Sequence, residues 1–354
     1  MPRTWDLFCR VIDNHGDLGV AWRLAADLAS RGERVRLWVD DARALAWMAP
    51  SGQAGVELVA WTEPAPDLAP GAVVVETFGC DLPPRFVERM AARQPAPAWI
   101  NLEYLSAEAY VERSHGLPSP VTLAGGKTLE RRFFYPGFTP HTGGLLCEPG
   151  LLARLRDFDR AHWLAANGVA PQAGERLVSL FCYANPALPA LVDRLCAAPT
   201  LLLAAPGAAT EQIAAALGPA LRRGALRVRC LPWLAQTEYD HLLRACDLNF
   251  VRGEDSFVRA QWAGRPFVWQ IYPQQDGSHR AKLLAFLDRM LADGDARVAD
   301  PLRALMLGWN GFGPLAPGLP PLARWQSHCE QWRDGLAVAP DLTTQLLGLV
   351  VEML

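Results

Sequence analysis

The stretch WDLFCRVIDNHGDLGVAWRLAADLASRGERVRLWVDD, residues 5–41, decides the fold. Its apolar opening, WDLFCRVI, reads as a strand. The polar DNHGDLG is a loop. VAWRLAADLASRG places Val20, Ala21, Leu24, Ala25 and Leu28 at a spacing of three and four, the period of a helix with one buried face. Gly32 stands where a helix C-cap belongs, and ERVRLWVDD reads as a second strand. A strand–loop–helix–strand unit predicts a parallel sheet. The loop occupies the place of a phosphate-binding glycine loop. It has Gly16 and Gly19 but lacks the first glycine of GxGxxG, and it carries Asp13 and Asp17. Two carboxylates at a helix mouth repel a pyrophosphate, although the helix N-terminus itself favours anions, so a dinucleotide-dependent oxidoreductase is disfavoured. The pair suits a cation, or a proton that must be removed. Equally, Asp13 ends a strand and Asp17 serves the first helical turn, as acids commonly do. The shape of the loop leaves both readings open.

Outward from this unit the same alternation continues. Strands are expected at 72–76, 98–103 and 120–124, followed by a loop rich in Gly, Pro and aromatics at 125–150. A second alternating run has strands at 176–183, 200–205, 226–231, 246–251 and 266–272. The expected architecture is α/β, with two Rossmann-like domains of parallel strands facing a shared cleft. Their boundaries are 1–150, a helical linker at 151–175, and 176–335. A closing helix at 336–354 is expected to pack back across the hinge. Open α/β sheets bind ligands at the carboxyl ends of their strands, so function is expected in the loops that follow them.

One such junction is NFVRGEDSFVRAQWAGRPFVWQIYPQQDGSH, residues 249–279. Gly253 permits a tight turn. Asp255 or Ser256 is expected to cap the helix, leaving backbone N–H groups aimed at the cleft. Arg252 adds a cationic fork suited to phosphate oxygens. Together these hold a diphosphate. Tyr272 and a loop with Gln274, Gln275 and Asp276 end the next strand.

Composition narrows the classes. The chain has 354 residues, 51% hydrophobic and 20% charged, with a formal net charge of −3. Two domains with sizeable cores are expected. Nothing in the charge calls for nucleic acid or an anionic membrane, no apolar run reaches membrane-spanning length, and the first residues do not read as a signal peptide. The eight cysteines form no CxxC pair, which argues against a zinc or redox motif and suits buried thiols in a reducing cytoplasm.

The second junction, with its AGRP and Pro/Gln loop, resembles the donor half of glycosyltransferases of the two-Rossmann (GT-B) type. Taken with DLFCRVIDNHGDLGVAWRLAADLASRG, it resembles the elongation factor P arginine rhamnosyltransferases over nearly the whole chain. That resemblance implies transfer of rhamnose from dTDP-β-L-rhamnose to an arginine of elongation factor P, with inversion. It implies essential acids at Asp13, Asp17 and Glu254, with Asp17 the preferred base. Donor contacts are implied at Arg252, Asp255 and Ser256 around the diphosphate. Trp233 and Gln236, in LPWLAQTEYDHLL, match the thymine-holding segment, and Tyr272, Phe181 and Tyr183 match further donor-side aromatics. No cofactor and no metal is expected, because no Asp-x-Asp motif accompanies the donor segment.

The acceptor in this reading is a guanidinium with a pKa above about 12, a cation and a poor nucleophile. Carboxylates select it, orient its fork and concentrate charge on one nitrogen. An aspartate, near 3.9 by reference, is far too weak to deprotonate it beforehand. Proton loss therefore accompanies or follows bond formation. The competing readings are a GT-B enzyme with a small-molecule or lipid acceptor, a nucleotide-sugar epimerase of the same fold, and a non-catalytic binding module.

Overall fold

The computed structural model describes residues 2–13, 15–274 and 277–354. The chain divides into two compact units, Met1–Pro149 with Ala337–Leu354, and Gly150–Leu336.

The first unit runs β1 (Thr4–Cys9), α1 (Gly16–Ser30), β2 (Arg34–Val39), α2 (Leu45–Met48), β3 (Val56–Ala60), β4 (Val73–Thr77), α3 (Pro84–Ala92), β5 (Ala98–Leu102), α4 (Ala109–Ser114), β6 (Pro118–Thr122) and β7 (Thr128–Phe134). Its described strands form one seven-stranded sheet in the order β3-β2-β1-β4-β5-β7-β6. All neighbours are parallel except the β6–β7 pair. The central strands are buried on both sides, as a parallel sheet covered on two faces requires. One face packs α1 over Leu7, Val35, Leu37, Val75 and Ile100. The other gathers Phe8, Trp38, Phe86 and Trp99, with Phe8 stacked on Trp38 at 4.8 Å between ring centroids. A fully buried acid, Asp6, is tolerated because it accepts from Arg36 Nη2, Trp38 Nε1 and the Gly71 N–H, at 2.7, 2.8 and 2.7 Å.

Residues 125–150, expected as loop, contain β7, which pairs with β5. Its charges disguise it: Arg131 on this strand forms an ion pair with buried Glu76 of β4.

The second unit runs α5 (Leu151–Arg156), α6 (Arg160–Ala166), β8 (Arg176–Leu180), α7 (Leu188–Leu195), β9 (Thr200–Ala204), α8 (Ala208–Leu217), β10 (Arg222–Arg223), β11 (Leu226–Cys230), α9 (Gln236–Ala245), β12 (Leu248–Arg252), α10 (Asp255–Ala263), β13 (Phe267–Gln270), α11 (His279–Leu291), α12 (Ala296–Trp309) and α13 (Leu322–Leu336). Its sheet has the order β10-β11-β9-β8-β12-β13, parallel apart from the short β10–β11 pair. The helices of 151–166 belong to this unit, where Trp163 and Leu164 join Leu177, Leu201 and Leu203 in the core.

The last helix, α14 (Leu342–Met353), returns to the first unit. Leu342, Leu346 and Val350 complete the core over α1. Arg31, just beyond α1, bonds both Asp27 and Asp341, at 3.0 and 2.8 Å.

Candidate functional site

The loop between β1 and α1 is organised by Asp17. In the first turn of α1 its Oδ2 accepts from the N–H groups of Ile12 and Asp13, at 2.9 and 2.8 Å. It is 3% exposed. Asp13 closes a turn through its carbonyl, which accepts from the Gly16 N–H at 2.7 Å. Its carboxylate lies close to Gly16: a Cβ there would stand 2.6 Å from Oδ2 and displace the Asp13 side chain. The apparent glycine loop is therefore a carboxylate loop. Burial pushes the Asp17 carboxyl above its ordinary value, while the two backbone N–H groups and Tyr104 pull it back and Asp40 adds to the rise.

Two aromatic residues at strand ends frame Asp17. Phe78 follows β4 and Tyr104 follows β5; their rings stack at 4.3 Å with 15° between planes. The Tyr104 hydroxyl lies 3.4 Å from Asp17 Oδ1. His15 meets Trp47 edge to face at 5.2 Å. A separate cavity of about 700 Å³ in this unit, lined by Glu76, Trp99, Lys127 and Arg131 among others, includes neither Asp13 nor Asp17.

In the second unit, β12 ends at Arg252 and α10 starts at Asp255. Gly253 makes the turn at a φ of 62°, and its carbonyl accepts from Trp269 Nε1 at 2.7 Å. Neither Asp255 nor Ser256 is the N-cap. That position is held by Glu254, whose side chain makes no capping bond. The Ser256 hydroxyl turns back instead, donating to the Arg252 carbonyl and accepting from the Arg252 N–H at 3.1 Å. The short turn between β12 and α10 explains the difference: it brings the hydroxyl of residue 256 onto the backbone of residue 252. Asp255 accepts from Gln236 Nε2 at 3.3 Å.

The Arg252 guanidinium carbon lies 4.4 Å from the centroid of the Phe181 ring and 4.3 Å from that of Tyr183. Tyr183 in turn meets Tyr272 edge to face at 5.6 Å. The cation is thus fixed by ring faces, an arrangement that costs it less hydration than an ammonium would lose. Burial pushes the Cys182 thiol up to about 12, and Arg252 opposes that rise. Behind this corner a buried pair, Arg259 with Asp240 at 2.9 and 2.6 Å, ties α10 to α9. Trp233 and Tyr272 are 42% and 40% exposed.

The structure therefore gathers Phe181, Tyr183, Arg252, Ser256 and Tyr272 in one corner and joins Gln236 to Asp255 beside it. Trp233 sits just ahead of α9, and Glu254 lies half-buried at the start of α10. Asp13 and Asp17 share their loop in the first unit. Gln275 and Asp276 lie outside the described residues. The sequence reading missed Phe78, Tyr104, Gln270 and Tyr239. Gln270 Oε1 accepts from the Tyr183 N–H at 2.9 Å, and Tyr239 meets Phe181 at 5.8 Å. Phe78, Tyr104 and Gln270 stand at carboxyl ends of strands, where the same rule that singled out Arg252 would have found them.

Two doubly wound units, one with a basic corner at a helix start, have the fold of the GT-B class of glycosyltransferases. Solved structures agree on the fold: CalG4, the calicheamicin glycosyltransferase, matches with a TM-score of 0.53 at 14% identity, over 100% of this chain and 99% of its own. The family described as Elongation-Factor P (EF-P) rhamnosyltransferase EarP matches residues 5–351. The protein-arginine rhamnosyltransferase of Pseudomonas aeruginosa is 44% identical, covering 99% of this chain and 100% of that protein. That of Pseudomonas putida is 42% identical over 98% of each. A structure described as the basis for EarP-mediated arginine glycosylation of translation elongation factor EF-P has a TM-score of 0.69 and 32% identity, covering 99% of this chain and 100% of its own. The chain belongs to this family, the protein-arginine rhamnosyltransferases.

Proposed function

We propose that this chain transfers rhamnose from dTDP-β-L-rhamnose to an arginine side chain of EF-P, with inversion and without a metal. The observation that carries the reading is the built-in carboxylate of Asp17, in a chain that matches the family over residues 5–351. An acid held on two backbone N–H groups keeps a fixed direction, and its burial raises its affinity for a proton. Both properties suit a group that receives a proton from a guanidinium.

In the proposed reaction one guanidinium nitrogen attacks the anomeric carbon. The C–N bond forms, the bond from that carbon to the diphosphate oxygen breaks, and dTDP leaves with the electron pair. The nitrogen loses its proton to Asp17, and Asp13 and Glu254 orient the planar fork. Arg252, the first turn of α10 and Ser256 stabilise the negative charge on the departing diphosphate. Phe181, Tyr183, Trp233, Gln236 and Tyr272 hold the nucleotide, and Asp255 fixes Gln236. The proposed setting is the cytoplasm; no helix among the described residues is long and apolar enough to cross a membrane.

The test measures dTDP release from dTDP-β-L-rhamnose with and without EF-P. Release that requires EF-P, with an α-linked product by proton NMR, is expected. Conversion of the donor to another dTDP-sugar without EF-P and without dTDP release would favour an epimerase, and a β-linked product would exclude a single displacement.

A further inference from the structure

We infer that Tyr104 is a positioning residue for Asp17, and that Phe78 holds Tyr104 in place. The inference rests on the reading of Asp17 as the proton acceptor.

Phe78 has a φ of 60°. A bulky L-residue rarely adopts this left-handed conformation, which persists only where its surroundings over-determine it. Two contacts do so here. The Phe78 N–H donates to the Leu102 carbonyl at the end of β5, at 2.6 Å. Its ring lies flat on Tyr104, two residues beyond that carbonyl. A right-handed or extended residue at 78 would carry the ring away from Tyr104. The strained turn therefore sets where the phenol sits.

The phenol lies on the other oxygen of Asp17. Oδ2 is held by Ile12 and Asp13, while Oδ1 has the Tyr104 hydroxyl at 3.4 Å. That distance is long for an O–H···O bond, and contacts of this kind shorten as a catalytic site fills. Asp40 and Cys9 also act on Asp17. Asp40, beyond β2, disfavours its ionisation, as burial does. Cys9, at the end of β1, is a buried thiol pushed up by desolvation and by Asp17 itself, so it stays neutral. Tyr104 favours the ionised form. Losing its hydroxyl should loosen Oδ1 and raise the pH at which the base becomes available.

The experiment compares Tyr104→Phe, Phe78→Gly and Asp17→Asn in the full-length protein, measuring EF-P rhamnosylation with dTDP-β-L-rhamnose across pH, together with Tm. Tyr104→Phe should lower kcat roughly 10-fold, the loss of one hydrogen bond to a charged group, with the donor KM little changed and the acid limb of kcat moved to higher pH. Phe78→Gly relieves the backbone strain yet removes the stack and the ring's packing against the core, so kcat and Tm should both fall, with the acid limb moving as in Tyr104→Phe. A structural role alone would lower Tm and leave the acid limb in place. If Asp17→Asn is inactive but Tyr104→Phe keeps both kcat and its acid limb, the inference fails while the reading of Asp17 stands. If Asp17→Asn turns over normally, the reading itself fails, and the inference with it.

Discussion

Replacing Arg252 by alanine isolates the donor corner. The guanidinium carbon sits 4.4 and 4.3 Å from the Phe181 and Tyr183 ring centroids. Truncation removes two cation–π contacts of about 0.5–2 kcal/mol each. Those bear on the stability of the corner rather than on the donor. The donor loses a charge-assisted contact to its diphosphate, worth about 1.5–3 kcal/mol. At 1.4 kcal/mol per decade, dTDP affinity should fall roughly 10- to 150-fold. Arg252→Lys should fall between, since it keeps the charge but loses the planar fork that lies against the two rings. Titration calorimetry with dTDP reads this directly, and a thermal scan without nucleotide shows whether the corner remains folded. A folded Arg252→Ala protein whose dTDP affinity stays within about two-fold of the parent would refute the assignment of this corner to the diphosphate.

Further expectations follow from the acids and the core. Asp17→Asn should cut transfer at least about 100-fold, the scale of general-base loss, while dTDP binding survives. Its stability has a defined pH dependence. Because burial raises the carboxyl of Asp17 above 3.8, the folded state binds the extra proton, and the stability it contributes is present below 3.8 and lost as pH rises through the raised value. The Tm of Asp17→Asn relative to the parent should therefore climb with pH across that window and then level off. Glu254→Ala should abolish transfer with dTDP affinity nearly unchanged, measured by the same calorimetry. Leu346→Ala, in the fully buried face of α14, should cost about 2–5 kcal/mol in denaturant unfolding. It tests whether the last helix is part of the first unit's core.

Much of this molecule was legible in its sequence because the parallel sheets announce themselves. Runs such as LWV at the end of β2 and VVV in β4 are apolar on both faces, and α1 declares its buried face by its period. One strand that carries charge did not announce itself. TLERRFF hides β7 because Arg131 meets its acid partner, Glu76, only in three dimensions. Arg252 was readable as a cation at a strand end. Its stacking between Phe181 and Tyr183 was not, since those rings arrive from the segment after β8, some 70 residues earlier in the chain. Asp17 was readable as an acid in a first turn. That it binds the backbone of its own loop through one oxygen, and meets a phenol held by a left-handed phenylalanine through the other, depends on β4 and β5 lying beside β1. The expected helix cap at Asp255 or Ser256 failed for a related reason. Sequence preference identifies a good capping residue, but the turn after β12 decides which backbone its hydroxyl can reach.

The most direct test of the account is the intact mass of EF-P after incubation with this protein and dTDP-β-L-rhamnose, followed by fragmentation to find the modified residue. The account predicts a gain of one deoxyhexose, carried on a single arginine and absent when that arginine is replaced by lysine. An unmodified EF-P in the presence of folded, dTDP-binding enzyme, or a sugar placed on any other residue type, would contradict it.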